Sequence, residues 1–342
     1  MNIKWYLSDL FACGHIRGEI FAREVNRNKS KLGRVDCKSD ILISDYYGTD
    51  LMVFQRAHNP SLFEKMMLAK ENGIKVVYDL DDDFFNLPED FKEPYDFYSK
   101  PEIRDMLTKF MTNADAVTVS TETLAESIKG RVGDTPIFIM ENYMDSDMWN
   151  MAFAKKQTEP SDKITIGWMA SGSHAFDAPL AMPAIKRIMQ ENKNVHLHLI
   201  GWVGWDQMDQ EFTKMKSRIV TEPWIDISVL PNHMHTFDIG IAACQSVPYN
   251  FAKSSIKLFQ YWALGVPVVA SCIPDYQKKI IDGKDGLLCD DGDWYDKIKM
   301  LVDDEEKRKL MGAQGRFKLL SEYDIKNNVG QWLNTFDMIC KI

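Results

Sequence analysis

Short apolar runs of strand length alternate along the whole chain with stretches whose apolar positions recur at helical spacing. In the first half the runs at 3–7, 40–43, 51–54, 75–80, 116–120 and 136–140 read as strands. Between them, 18–28, 60–72, 101–113 and 123–130 read as helices; Pro60 opens one at its first turn and Asn72-Gly73 closes it. The segment 142–162 is polar and aperiodic and predicts a linker. The alternation then restarts, with strands at 165–169, 196–200, 225–228, 239–243 and 266–270. Helices are predicted at 179–191, 209–218, 253–264 and 276–281, and a last helical region at 304–342 is interrupted near 321–324. Alternation of this kind implies α/β architecture, with parallel sheets covered by helices on both faces.

The expected organisation is two Rossmann-like domains, 1–145 and 164–324, joined by a linker at 146–163. A C-terminal helix at 325–342 is expected to pack back on the first domain. Two such halves facing a cleft would turn their strand C-termini toward one ligand crevice.

Composition narrows the function classes. A net charge of -9 argues against non-specific nucleic-acid binding, which needs a basic field. The six cysteines show no metal-ligand spacing, so reduced thiols and a cytoplasmic location are expected, with any membrane contact peripheral. No apolar run reaches the length of a membrane span. One basic stretch, Arg23, Arg27, Lys29, Lys31, Arg34 and Lys38, could touch anionic headgroups or a polyanionic acceptor; a solvated face is the plainer reading.

The densest chemistry lies at 250–271, NFAKSSIKLFQYWALGVPVVAS. Lys253 and Lys257 are four apart and would share one face of a helix. Ser254 and Ser255 stand where an N-cap would stand. Ammonium groups, hydroxyls and free backbone N–H groups at one helix start are what a diphosphate needs. The loop Ser171-Gly172-Ser173 follows the first strand of the second half and lets backbone N–H groups approach a phosphate or sugar; it reads equally well as a tight turn.

The run from Lys253-Ser254 through Gln260-Tyr261, Ala263-Leu264-Gly265 and Val266-Pro267-Val268-Val269-Ala270 resembles the donor-binding segment of family-four-like GT-B glycosyltransferases, which are retaining enzymes. Asp282-Gly283-Lys284-Asp285-Gly286, Trp294 and the 301–311 helix extend the likeness. The first half is similar only weakly, through Ala12-Cys13-Gly14-His15-Ile16-Arg17 and 76–88. The resemblance implies that Lys253 binds the donor phosphates, helped by Ser254 and Ser255, and that the side chain at 260 meets the donor ribose. The family usually has Glu there, where this chain has Gln260, and a second usual Glu falls at Ala252. An amide accepts hydroxyl hydrogen bonds less strongly than a carboxylate.

The implied reaction moves a sugar from a UDP- or GDP-linked donor to a hydroxyl acceptor with retention, without metal and without a separate cofactor. The acceptor would be a glycan, a lipid-linked sugar or a modified DNA base. Gly14 would allow close ligand approach, Arg17 would add a second cation near the leaving phosphate, and His15 would contact the acceptor or the transferred sugar. Asp81, Asp82 and Asp83 end a strand and could orient acceptor hydroxyls, hold a divalent metal, or merely cap a helix. Tyr95, Phe97 and Tyr98 could stack on a sugar or simply pack a loop. Two other functions fit the same residues: a phage-type enzyme glycosylating modified DNA, and a non-catalytic nucleotide-sugar-binding protein. A dinucleotide oxidoreductase lacks support, because no G-x-G-x-x-G follows the first strand.

Overall fold

A computed structural model describes residues 1–9, 12–27, 33–159, 161–170, 176–201, 210–290 and 292–342. The chain forms two compact units. The first holds Met1–Met144, Val247–Ser254 and Asp324–Ile342; the second holds Asp145–Ser246 and Ser255–Tyr323.

The first unit is built on six parallel strands: β1 (Asn2–Tyr6), β2 (Arg34–Lys38), β3 (Leu51–Gln55), β4 (Lys75–Leu80), β5 (Ala116–Val119) and β6 (Ile137–Ile139), in the order β2-β1-β3-β4-β5-β6. Every residue of β3 and β5 is buried, as strands covered on both faces must be. The order reverses between β1 and β3, and the C-terminal ends of strands at such a reversal are where open α/β sheets bind ligands. The C-terminal helix Ile325–Ile339 belongs to this unit; Trp332 and Phe336 lie within 6 Å of the Trp5 ring, at 5.9 and 5.7 Å between centroids.

The second unit repeats the plan with β7 (Ile164–Met169), β8 (Val195–Ile200), β9 (Ile219–Glu222), β10 (Ile239–Ala242), β11 (Val268–Ser271) and β12 (Leu287–Cys289), ordered β12-β11-β10-β7-β8-β9 and parallel throughout. Its reversal falls between β7 and β10. A Cβ at Gly167 on β7 would sit 2.0 Å from the Phe237 ring, so the absent side chain is what lets that ring lie on the sheet.

Several sequence expectations change. The predicted linker contains a helix, Asp147–Thr158, whose Trp149 is fully buried and whose Lys156 binds Asp238 at 3.0 Å within the second unit. The strand expected at 225–228 is instead β9, which pairs with β8 and stops before Pro223, a residue with no N–H for the ladder. The strand expected at 40–43 is replaced by β2, and Ile43–Tyr46 is a 3-10 turn. Tyr95, Phe97 and Tyr98 fall on a short helix, Lys92–Tyr98, with Tyr98 stacked on Phe84 at 3.9 Å. Arg34 and Lys38 of the basic stretch lie on β2 and pair with Asp36 and Asp45; Lys29 and Lys31 lie outside the described residues.

The signature segment is also divided differently. The sequence placed all of 164–324 in one domain, but Val247–Ser254 belongs to the first unit and Ser255 to the second. Tyr249 and Ala252 are buried in the first unit's core, and Thr121 Oγ1 donates to the Ala252 carbonyl at 2.9 Å.

Candidate active site

Gly14 ends a short helical turn, Ala12–Gly14, and a Cβ there would stand 1.9 Å from the Asp9 carbonyl oxygen. A π-helical turn, His15–Glu19, follows. His15 is buried, with Nδ1 2.9 Å from Glu19 Oε2; its Nε2 is buried and has no hydrogen-bond partner among the described residues. A buried orphan nitrogen is costly unless something bonds to it, so His15 keeps one polar atom available for a ligand.

Arg17 is not available in that way. Its side chain has no exposure, and it binds Asp79 in a fork, Nε to Oδ2 at 3.1 Å and Nη2 to Oδ1 at 2.6 Å. Nη1 donates to the Met140 carbonyl at 2.5 Å and to Asn142 Oδ1 at 2.9 Å. The guanidinium carbon lies 4.9 Å from the Trp332 ring centroid. The expectation that Arg17 supplies a second cation to a leaving phosphate does not fit this geometry. Its charge is neutralised by Asp79 and four of its N–H directions are occupied.

The cation at this sheet edge is Arg56, which the sequence reading overlooked. It follows β3 with φ 49, the only positive φ at a non-glycine residue among those described. A left-handed backbone at a side-chain-bearing residue is a strained arrangement that clusters at functional sites. Its guanidinium binds Asp81 through Nε and Asp82 through Nη2, the latter at 2.5 Å, and lies 5.1 Å from the Phe84 ring centroid. The ligand atoms of Cys13, Asp81 and Asp82 all lie within 4.8 Å of one another. Burial, outweighing Arg56, holds the Cys13 thiol well above its ordinary value. Asp83 does something else: it accepts from Phe85 N at 3.2 Å, Asn86 Nδ2 at 2.8 Å and Ser127 Oγ at 2.5 Å, and so fixes the turn after β4. Gln55, the last residue of β3, is fully buried with no partner for either amide atom among the described residues.

Lys253 and Ser254 join this edge. Lys253 Nζ lies 4.6 Å from the Tyr249 ring centroid. Burial raises the Tyr249 phenol first, and Asp82 adds to that rise while Lys253 and Arg56 oppose it, so these charges all act on one ring. Asn142 Nδ2 donates to Ser254 Oγ at 2.8 Å. Sequence reasoning missed Asn142 because it opened the aperiodic stretch taken for a linker.

In the second unit the helix begins at Ile256, not at Lys253. Lys253 therefore precedes the helix and shares no helical face with Lys257, which stands in the first turn. Ser255 occupies the cap position but makes no cap bond; its Oγ donates to Asp275 Oδ2 at 2.5 Å. Lys257 and Gln260 are 9% and 4% exposed. Gln260 Oε1 is buried with no partner among the described residues, which leaves an acceptor atom at the position where the resemblance expects a ribose contact. The helix ends at Ala263 with Leu264 as its cap, and Gly265 follows with φ 64, the left-handed conformation that glycine allows just past a helix end. Ser171, Gly172 and Ser173 lie outside the described residues. Among the described residues no helix is long and apolar enough to cross a membrane.

Several known proteins are similar to this chain. Residues 165–304 match the model of the glycosyl transferases group 1 family. The Bacillus subtilis (strain 168) protein "Putative teichuronic acid biosynthesis glycosyltransferase TuaH" is 25% identical over 194 residues, 53% of this chain and 46% of that protein; the match thus spans about half the length of the relative. Among solved structures, Anabaena HepE in complex with UDP-glucose superposes with a TM-score of 0.70 at 13% identity, covering 98% of this chain and 100% of the other. A sucrose-phosphate synthase from Thermosynechococcus elongatus gives 0.66 at 14% identity, with 99% of each chain covered. At such identities the structural likeness is one of fold, the two-unit GT-B arrangement of parallel sheets. The chain thus has a GT-B fold, and its residues 165–304 are similar to the glycosyl transferases group 1 model.

Proposed function

We propose that the protein is a glycosyltransferase that moves a sugar from a nucleoside-diphosphate sugar to a hydroxyl acceptor, with retention of configuration and without a metal ion. The observation that carries this reading is the family match over 165–304, because that span contains the Lys253–Gln260 segment. UDP is the favoured nucleotide, since the HepE structures were obtained with UDP and UDP-glucose. The acceptor class is a glycan or lipid-linked sugar, in keeping with the name of the Bacillus subtilis relative. A cytoplasmic location fits six free cysteines.

In this reading Lys253 and the backbone N–H groups at the start of the helix Ile256–Ala263 draw the diphosphate into place. Their attraction grows as the bond to the sugar breaks and negative charge collects on the leaving phosphate; only that growth accelerates the reaction. Gln260 Oε1 accepts from a ribose hydroxyl. The incoming acceptor hydroxyl attacks the face that the phosphate leaves, and the departing phosphate takes its proton. Metal-free transfer is supported by Arg56, which occupies the two carboxylates that would otherwise suit a divalent ion.

The test is a panel of UDP-, GDP- and ADP-sugars, read by thermal stabilisation and by nucleotide release. At least one donor should stabilise the protein, and Lys253→Ala should lose that effect. Tight donor binding with no release in the presence of any acceptor would favour a nucleotide-sugar-binding protein instead.

A further inference from the structure

The helix Glu305–Lys318 reverses the usual amphipathic order. An ordinary surface helix packs its large apolar side chains inward and leaves polar ones outside. Here the buried positions are Met311, Gly312 and Gly315. A Cβ at Gly312 would stand 2.0 Å from the Gly265 carbonyl oxygen, and one at Gly315 2.3 Å from the Trp262 ring, so the close approach of the helix demands both glycines. The large apolar groups are left outside. Leu310 is 61% and Phe317 73% exposed, with Ala313 exposed between them and Leu320 exposed beyond, in the turn Leu319–Tyr323. Positions three and four apart share a helix face, so these residues make one apolar stripe on the solvent side, about 15 Å long.

Charge decides what such a stripe suits. A helix that lies on an anionic bilayer keeps its Lys and Arg side chains outward on the polar face. Here three cations are turned back onto the protein. Arg308 donates to the Leu301 carbonyl at 2.6 Å. Arg316 donates to the Ala263 carbonyl and, at 2.8 Å, to Asn150 Oδ1. Lys318 donates to the Lys279 carbonyl and, at 3.1 Å, to Asp285. The stripe therefore fits a protein surface better than lipid headgroups. Its order also reads the same in both directions: the steps from Leu310 to Ala313, Phe317 and Leu320 are three, four and three. Laid antiparallel on a copy of itself about Gly315, Phe317 meets the partner's Ala313 and Leu310 meets the partner's Leu320. Large side chains then face small ones at the centre. The same register brings Lys309 beside the partner's Glu322, and both positions are exposed. A parallel pairing would instead set Lys309 against its own copy.

We propose that two copies of this chain associate through the helix Glu305–Lys318, antiparallel across a two-fold axis. Phe317 of each copy covers the partner's Ala313, and Lys309 pairs with the partner's Glu322. The same patch serves both copies, so the contact closes on itself and leaves no second stripe exposed to continue a chain of molecules. One short helix on each side makes a small interface, so the dimer forms with rising concentration and is not obligate. The inference is independent of the nucleotide-sugar reading above.

The experiment is sedimentation equilibrium of the full chain across about 1–200 µM, with thermal midpoints measured on dilute protein. The wild type should pass from monomer to dimer over that range. Phe317→Glu should weaken association by about tenfold or more and leave the dilute midpoint unchanged, because the ring is exposed in the single copy. Lys309→Glu and Glu322→Lys should each weaken association, and the two together should restore it, since the reversed charges meet again across the axis. A chain that stays monomeric throughout, or a dimer indifferent to Phe317→Glu, would overturn the proposal. A double reversal that fails to recover would overturn the antiparallel register. Binding of a monomeric wild type to phosphatidylglycerol vesicles, lost in Phe317→Glu, would give the stripe to a bilayer and sink the dimer.

Discussion

Arg17 and Asp79 meet fork to fork, 62 residues apart in sequence, with neither side chain exposed. A buried ion pair of this kind is weak evidence of net stability, but breaking it by removing one partner leaves an unpaired charge in the core. Arg17→Leu should therefore destabilise the first unit by about 3–5 kcal/mol. Arg17→Leu with Asp79→Leu should recover a good part of that loss. Urea unfolding of the three proteins checks it; a double variant as unstable as the single one would show that the pair matters through something other than charge.

Arg56 holds Asp81 and Asp82 together against their mutual repulsion. Arg56→Ala removes the cation and leaves Cys13, Asp81 and Asp82 with ligand atoms within 4.8 Å of one another. The variant should gain measurable affinity for Mn²⁺ or Cd²⁺ by calorimetry, whereas the wild type should show none and should keep its transferase activity in EDTA. Metal-dependent activity in the wild type would contradict the metal-free proposal directly.

Gln260 Oε1 is a buried acceptor in want of a donor group. Gln260→Glu supplies a stronger acceptor of the same shape, so nucleotide-sugar affinity should be equal or a few-fold higher, about 1 kcal/mol at most. The dissociation constant of the best donor in the panel is the measurement. A large fall in affinity would mean that the amide –NH2 is itself needed.

His198 on β8 sits against Phe237 and bonds Thr236 Oγ1 at 3.1 Å and Glu222 Oε1 at 3.2 Å; His233 binds the second Glu222 oxygen at 2.5 Å. Burial lowers the His198 pKa, and this outweighs the opposing pull of Glu222; His233 and His235 also lower it. Burial, with Lys163 and Arg218, lowers His196 as well. A lowered imidazole binds its proton less readily in the folded chain than in the unfolded one. Stability is therefore full above the unfolded value near 6.5 and falls as the pH drops below it, until the folded chain also takes up the proton. The thermal midpoint should decline between about pH 7 and pH 5, and His198→Gln should flatten the decline. A midpoint that rises on acidification would reverse the sign and point to Glu222 as the dominant influence.

Much of the architecture is legible in the order of residues because it depends on local periodicity. The runs 51–54 and 268–270 are apolar on both faces, as strands of a covered parallel sheet are. Asp324 is read as a break in the last helical region and does cap Ile325–Ile339, through Lys326 N at 3.0 Å. Boundaries fare worse where a helix lacks an apolar stripe. Asp147–Thr158 has Met, Ala, Lys and Gln on all sides, so its pattern resembles a linker although Trp149 anchors it.

Residue chemistry alone marked 253–257 as a cationic, hydroxyl-rich segment at the head of a helix. Only the tertiary structure decided what each charge is for. Side-chain partners come from residues far apart along the chain, and no spacing rule encodes them. Arg17 is neutralised by Asp79, whereas Arg56, with no motif around it, holds the carboxylates at the strand ends. Asn142 acquires a direction because a guanidinium that can only donate faces its carbonyl oxygen.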